Sequence, residues 1–193
     1  MARQSVQDGY FEAPFAAFPG QIADFGTSND NYVRGFPAAG AVIGGRGVVK
    51  GADIDLDANA NPLNQPAPYT VKAPVGGSVA ADFVGIVIRT EAMTNVGDPA
   101  EAAYADKTMA SVTHKQAGGA LVYVKAPVAI AAGDTVFMSV DAAQAPNLPV
   151  GEFTNVTGAG VIALTNLQWY KSTAAGDVGI IEQLLELFNL VAR

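Results

Sequence analysis

Val128-Ala129-Ile130-Ala131-Ala132, then Gly133-Asp134, then Thr135-Val136-Phe137-Met138-Ser139-Val140: two apolar runs rich in β-branched residues flank a glycine–aspartate pair. Each run is too short for a stable helix and suits a half-buried pleated surface. Glycine turns the chain where a side chain cannot, and aspartate closes a turn by bonding to its own backbone. The stretch therefore predicts a strand, a turn and a strand.

The same grammar extends in both directions. Upstream, Ser111–Lys115 and Ala120–Lys125 read as strands joined through Gln116–Gly119. Val84–Thr90 is almost continuously apolar, the signature of a central strand buried on both faces. Tyr69–Ala73 is a short run behind the Pro62–Pro68 loop. Ala38–Lys50 carries Ala41-Val42-Ile43, a Gly44-Gly45-Arg46-Gly47 bulge or tight turn, and Val48-Val49. Met93–Met109 is polar and turn-rich and reads as a long loop. Downstream, Gly160–Leu164 and Gln168–Lys171 are further short strands. At the end, Val178–Gln183 fits a strand, whereas Ile180, Ile181, Leu184, Leu185, Leu187, Phe188 and Val191 fall at helical spacing, so a strand passing into a short helix is expected. The fold class is all-β: a sandwich or small barrel of about ten short strands.

The first 36 residues break this pattern. They hold seven of the sixteen aromatics (one Trp, six Tyr, nine Phe): Tyr10, Phe11, Phe15, Phe18, Phe25, Tyr32 and Phe36. Pro14, Pro19, Gly20, Gly26, Gly35 and Pro37 interrupt any helix, and alternation is absent. The organisation expected is an extended aromatic-rich arm over 1–37 and a β-rich body over 38–193. Apolar burial by seven rings does not repay the entropy of fixing so long a segment, so the arm needs a surface to lie on: its own body, a sister subunit or another partner.

Composition narrows the function. Net charge is −7, with 18 acids against 11 dispersed bases, so contact with nucleic acid is not expected. There is no cysteine, which removes disulfides and thiolate metal sites. No apolar leader follows Met1, and no run approaches the ~20 apolar residues of a membrane span, so a soluble protein made in a cytosol is expected.

Sites with chemistry are few. Asp53-Ile54-Asp55-Leu56-Asp57-Ala58-Asn59-Ala60-Asn61 alternates acids as a calcium loop would, but Ala58 and Asn64 stand where an EF-hand needs Gly and Glu. An edge strand with Ile54 and Leu56 inward explains it better. His114 is the only histidine, with no Gly-x-Ser-x-Gly elbow and no cysteine to pair with it. The Gly44–Gly47 cluster lacks the spacing of a dinucleotide or phosphate loop. Trp169-Tyr170 could stack a sugar, or fill a core or interface. No enzyme, metal or cofactor is expected.

The order of these features resembles the structural cement, or capsid decoration, proteins of tailed bacteriophages. The resemblance is carried by Gln21-Ile22-Ala23-Asp24-Phe25-Gly26 with Asn29-Asp30-Asn31, and by Ala41-Val42-Ile43 with Gly45-Arg46-Gly47-Val48-Val49. It continues through Val84–Ile88, the Val128–Val136 hairpin, and Trp169 followed by Gly176-Asp177-Val178. It implies a non-enzymatic virion protein on the outer capsid surface, made in the host cytoplasm and bound to the major capsid protein at junctions between its subunits. A homo-oligomer is implied as well, with a trimer suggested by three-fold junctions and a dimer open. The expected interface residues are Arg3, Tyr10, Phe11, Phe15, Phe18, Phe25, Tyr32, Arg34 and Phe36, because aromatics and arginine are the usual anchors of interfaces. The alternative is a glycan- or receptor-binding head appendage that uses Trp169 and Tyr170.

Overall fold

The computed structural model describes residues 17–23, 33–53, 69–90, 94–96, 98–114 and 120–184. Along them run thirteen strands: β1 (Val33–Pro37), β2 (Val42–Ile43), β3 (Gly47–Asp53), β4 (Tyr69–Lys72), β5 (Phe83–Val87), β6 (Thr94–Val96), β7 (Asp98–Tyr104), β8 (Met109–His114), β9 (Leu121–Lys125), β10 (Thr135–Ser139), β11 (Phe153–Thr154), β12 (Val161–Trp169) and β13 (Val178–Gln183). The one helical element among the described residues is a 3-10 turn at Ala80–Asp82, so the protein is all-β.

The strands form three sheets, ordered β1-β8-β5-β3-β4, β11-β10-β12-β13-β9 and β2-β7-β6. The second sheet packs on one face of the first. Val49, Phe83, Ile86 and Ile88 meet Val122, Val124, Val136, Met138, Leu164, Trp169 and Ile181 there in a single core. A side chain at Gly47 would strike Met138 and Phe153 of the facing sheet, so a glycine lets the layers close. The other face of the first sheet holds a second core of Phe36, Val48, Val71, Val84, Val87, Ala110 and Val112 with Val42 and Tyr104 of the third sheet.

β5 therefore lies between two cores, as its continuous apolar run predicts, and all five of its residues are buried. It changes sides through a bulge. Val48 pairs with Gly85 and Val49 with Phe83, which leaves Val84 as an extra residue. Phe83 and Ile86 then face one core while Val84 and Val87 face the other.

Among the described residues no sheet closes into a barrel, so that part of the expectation falls. The first sheet curls until Ala38 makes a lone parallel bridge to Val71 of β4, but its ladder stops there. Four other expectations are corrected. Val128–Ala132 is not a strand. The Ala131 amide bonds to Asp134 Oδ2 at 2.9 Å and the Asp134 amide to Ala131 O at 3.2 Å, which draws residues 131–134 into the turn. Only Ile130 pairs, with Thr173. The Ala131 amide, and the Asn155 amide behind it, hold the Asp134 carboxyl below the usual carboxylate range. The runs at Gly160–Leu164 and Gln168–Lys171 merge into β12, where Val136 faces Leu164 but Thr135 faces Gln168 across an irregularity.

Met93–Met109 is not a loop, because it contains β6 and β7. Their alanines and acids have weak strand preference, and tertiary contacts override it. Ala102 and Ala103 are buried, and the buried Tyr104 hydroxyl donates to Ile88 O at 3.2 Å. Finally, Val33–Pro37, assigned above to an irregular arm, is a strand in register with β8 from Val33↔Thr113 to Pro37↔Met109. Gly35 and Pro37 hid it. The expected helix after Gln183 and the acidic run after Asp53 fall on residues 185–193 and 54–61, outside the described residues.

Candidate functional site at the root of the arm

The turn Phe18-Pro19-Gly20-Gln21 lies at the start of the first described segment. Proline at the second position and glycine at the third suit a type II turn. Gly20 has φ +88° and the Gln21 amide bonds to Phe18 O at 3.1 Å. The Gln21 side chain closes the turn again, accepting the Phe18 amide at 3.0 Å.

From this turn the chain runs along β9 as an added antiparallel segment. Gly20 N donates to Tyr123 O at 2.7 Å, Tyr123 N to Gln21 O at 2.9 Å and Ala23 N to Leu121 O at 2.8 Å. Ile22 sits opposite Val122 and packs against the main core. This covers an edge strand that would otherwise offer unpaired backbone groups. Gly20 O accepts the Arg89 amide at 2.8 Å, which ties the same residue to the chain just beyond β5.

Two glycines meet at this point. A Cβ on Gly20 would lie 2.7 Å from Gly45 N, and one on Gly45 would lie 2.8 Å from the Pro19 carbonyl carbon. Gly45 also has positive φ, +76°, and bonds through its amide to Val87 O at 2.8 Å. Over the turn, the Arg89 guanidinium carbon stands 4.7 Å from the centre of the Phe18 ring, a cation–π contact. Phe18 stays 39% exposed.

Three of the nine expected interface residues lie among the described residues. Phe18 is on the surface at the clasp, and Arg34 is exposed on β1. Phe36 is turned into the second core, stacked on Tyr69 with ring centres 5.4 Å apart, and has little area left for a partner. Arg3, Tyr10, Phe11, Phe15, Phe25 and Tyr32 lie outside the described residues. Gly20, Gly45 and Arg89 were not singled out as site residues by sequence. The Pro-Gly pair at positions 19 and 20 was the available signal, because it marks a fixed turn as well as a helix break.

The other candidate sites show no convergent chemistry among the described residues. No cluster of three or more His, Cys, Asp and Glu side chains could hold a metal ion there. The backbone of His114 pairs with Gly85. Lys50, Asp53, Lys72 and Asp82 line an open groove beside β3 and β4. Lys50 Nζ bonds to Asp53 Oδ1 at 2.7 Å, which raises the lysine pKa above its ordinary value. Trp169 is fully buried against Gly179, while Tyr170 is 53% exposed, so the pair presents a single ring outward. The segment Phe18–Ala23 thus ties β9 of one large sheet to the end of β5 in the other.

A sequence comparison gives the family. The chain belongs to the structural cement protein family of bacteriophages, whose model (structural cement protein, E217 gp24/Pam3 gp6) matches residues 6–184. A comparison with curated proteins finds no match. Membership makes it a phage capsid cement protein by family, with a structural role.

Proposed function

We propose that this protein binds the outer surface of a phage capsid at junctions between major capsid protein subunits and stabilises the shell without catalysing a reaction. The reading is supported most by the family match over residues 6–184, which takes in nearly all of the arm together with the body. The arm supplies the greasy anchors Tyr10, Phe11, Phe15 and Phe18, and Arg3 and Arg34 pair with capsid carboxylates. Many copies on a repeating shell convert modest single contacts into firm attachment. A homo-oligomer, a trimer at three-fold junctions, is the arrangement we favour.

The test removes residues 1–16 and leaves the clasp in place. The truncated protein should keep the wild-type urea midpoint and fail to co-sediment with capsids that lack the cement protein. Full co-sedimentation after truncation would overturn the anchoring role of the arm.

A further inference from the structure

We infer that the Pro19–Gly20 clasp is a positioning element for capsid attachment, in which Gly20, Gly45 and Arg89 set how long the protein stays on a shell. This rests on the anchoring reading above. The clasp grips the arm at three places: the backbone of β9 in one large sheet, the Gly44–Gly45 corner, and Arg89 at the end of β5 in the other large sheet. Phe18 is consequently held on a turn fixed by two hydrogen bonds and stacked under Arg89.

With the clasp open, the chain from Phe18 to Ala23 would lose its bonds to β9 and to Arg89. The tether between anchors and body would lengthen by that segment. A longer tether lowers the effective concentration of one contact once the other is made, and more freedom is lost on binding. Gly20, Gly45 and Arg89 therefore act on residence time by holding Phe18 and the chain before it in place. The glycines fit this role: both adopt a positive φ and touch each other, and Ile22 is the residue of this segment that packs against the core.

The experiment measures dissociation of full-length protein from capsids that lack the cement protein. Gly20→Val places a branched side chain at φ +88° against Gly45 and opens the clasp. It should raise the dissociation rate about tenfold or more, since interface changes act mostly on that rate. Should it lower the urea midpoint, the smaller Gly20→Ala is read in its place.

Rescue comes from a cysteine pair, Ile22→Cys with Val122→Cys, added to the glycine variant. The two residues face each other in an antiparallel, non-hydrogen-bonded pair, which brings Cα atoms to about 4.5 Å and admits a disulfide. The chain has no cysteine to interfere. Oxidation should return the dissociation rate to within about twofold of wild type, and reduction should release it again. Dissociation at the wild-type rate with the clasp open overturns the inference. So does a rate that rises only in step with lost stability and is not rescued by oxidation. Phe11→Ala with Phe15→Ala in the full chain separates the two readings. Fast release by that variant, with wild-type release by Gly20→Val, removes the clasp inference and keeps arm anchoring. Wild-type release by the phenylalanine variant removes arm anchoring itself.

Discussion

Gly85 of β5 and Thr113 of β8 approach so closely that a Cβ on Gly85 would collide with the Thr113 carbonyl oxygen. The Ile86 amide donates to Thr113 Oγ1 at 3.1 Å, and that hydroxyl lies 3.3 Å from Ile86 O, to which it donates. A side chain and a backbone thus replace part of an ordinary ladder at the centre of the first sheet, next to the bulge at Val84.

Gly85→Ala should therefore destabilise by about 3 kcal/mol or more, at or above the top of the usual range for overpacking, because the obstacle is backbone and cannot rotate away. Thr113→Val should cost about 1–3 kcal/mol, because the Ile86 amide would be buried without its partner. Urea denaturation of both variants checks this. A loss below about 0.5 kcal/mol for Gly85→Ala would mean that the two strands separate freely, against the close approach found here.

The carboxylate of Glu152 is 5% exposed. Arg46 Nη2 stands 3.6 Å from it and Lys125 Nζ 3.9 Å. Arg46 opens into β3 of the first sheet, and Lys125 ends β9 of the second, so the acid spans both. Removing the less exposed partner should hurt most. Arg46→Met should cost about 3–5 kcal/mol by leaving a buried carboxylate short of charge, whereas Lys125→Met should cost under about 1 kcal/mol because that lysine is half in water. Equal losses in thermal or urea unfolding would refute this ranking.

These sites show how far the sequence could be read. The buried run Val84–Ile88, the short strand at Tyr69 and the closing strand Val178–Gln183 were legible, because β-branched residues and turn signals coincide there. The strand Asp98–Tyr104 was not, because alanine and acid carry little strand signal and the strand depends on the seat of Tyr104 beneath Ile88 and Thr90. Phe36 was expected as an interface anchor and is a core residue, since its burial depends on Tyr69, distant in sequence. The clasp depends on Gly20 meeting Gly45 and Arg89, contacts between segments that no local pattern joins. Local chemistry marks the Pro-Gly turn but cannot say what the turn rests on.

Trp169 and Tyr170 are neighbours on β12 and its end with opposite fates, which bears on the glycan-binding alternative. The indole fills the main core over Gly179, where a Cβ would come within 2.8 Å of it. Trp169→Ala should cost about 3–5 kcal/mol of stability, as for other large buried rings. Tyr170→Ala should fall within about 0.5 kcal/mol of wild type, because the ring is half in water and the strand keeps its backbone bond from the Tyr170 amide to Ile180 O at 2.9 Å. A sugar-stacking face built on this pair needs the indole outside. Glycan-array binding by the wild-type protein that is lost in Tyr170→Ala, with capsid co-sedimentation unchanged, would establish a carbohydrate site on the remaining ring. With one exposed ring and its neighbour locked inward, the expected result is no glycan signal in either protein and unaltered attachment to capsids.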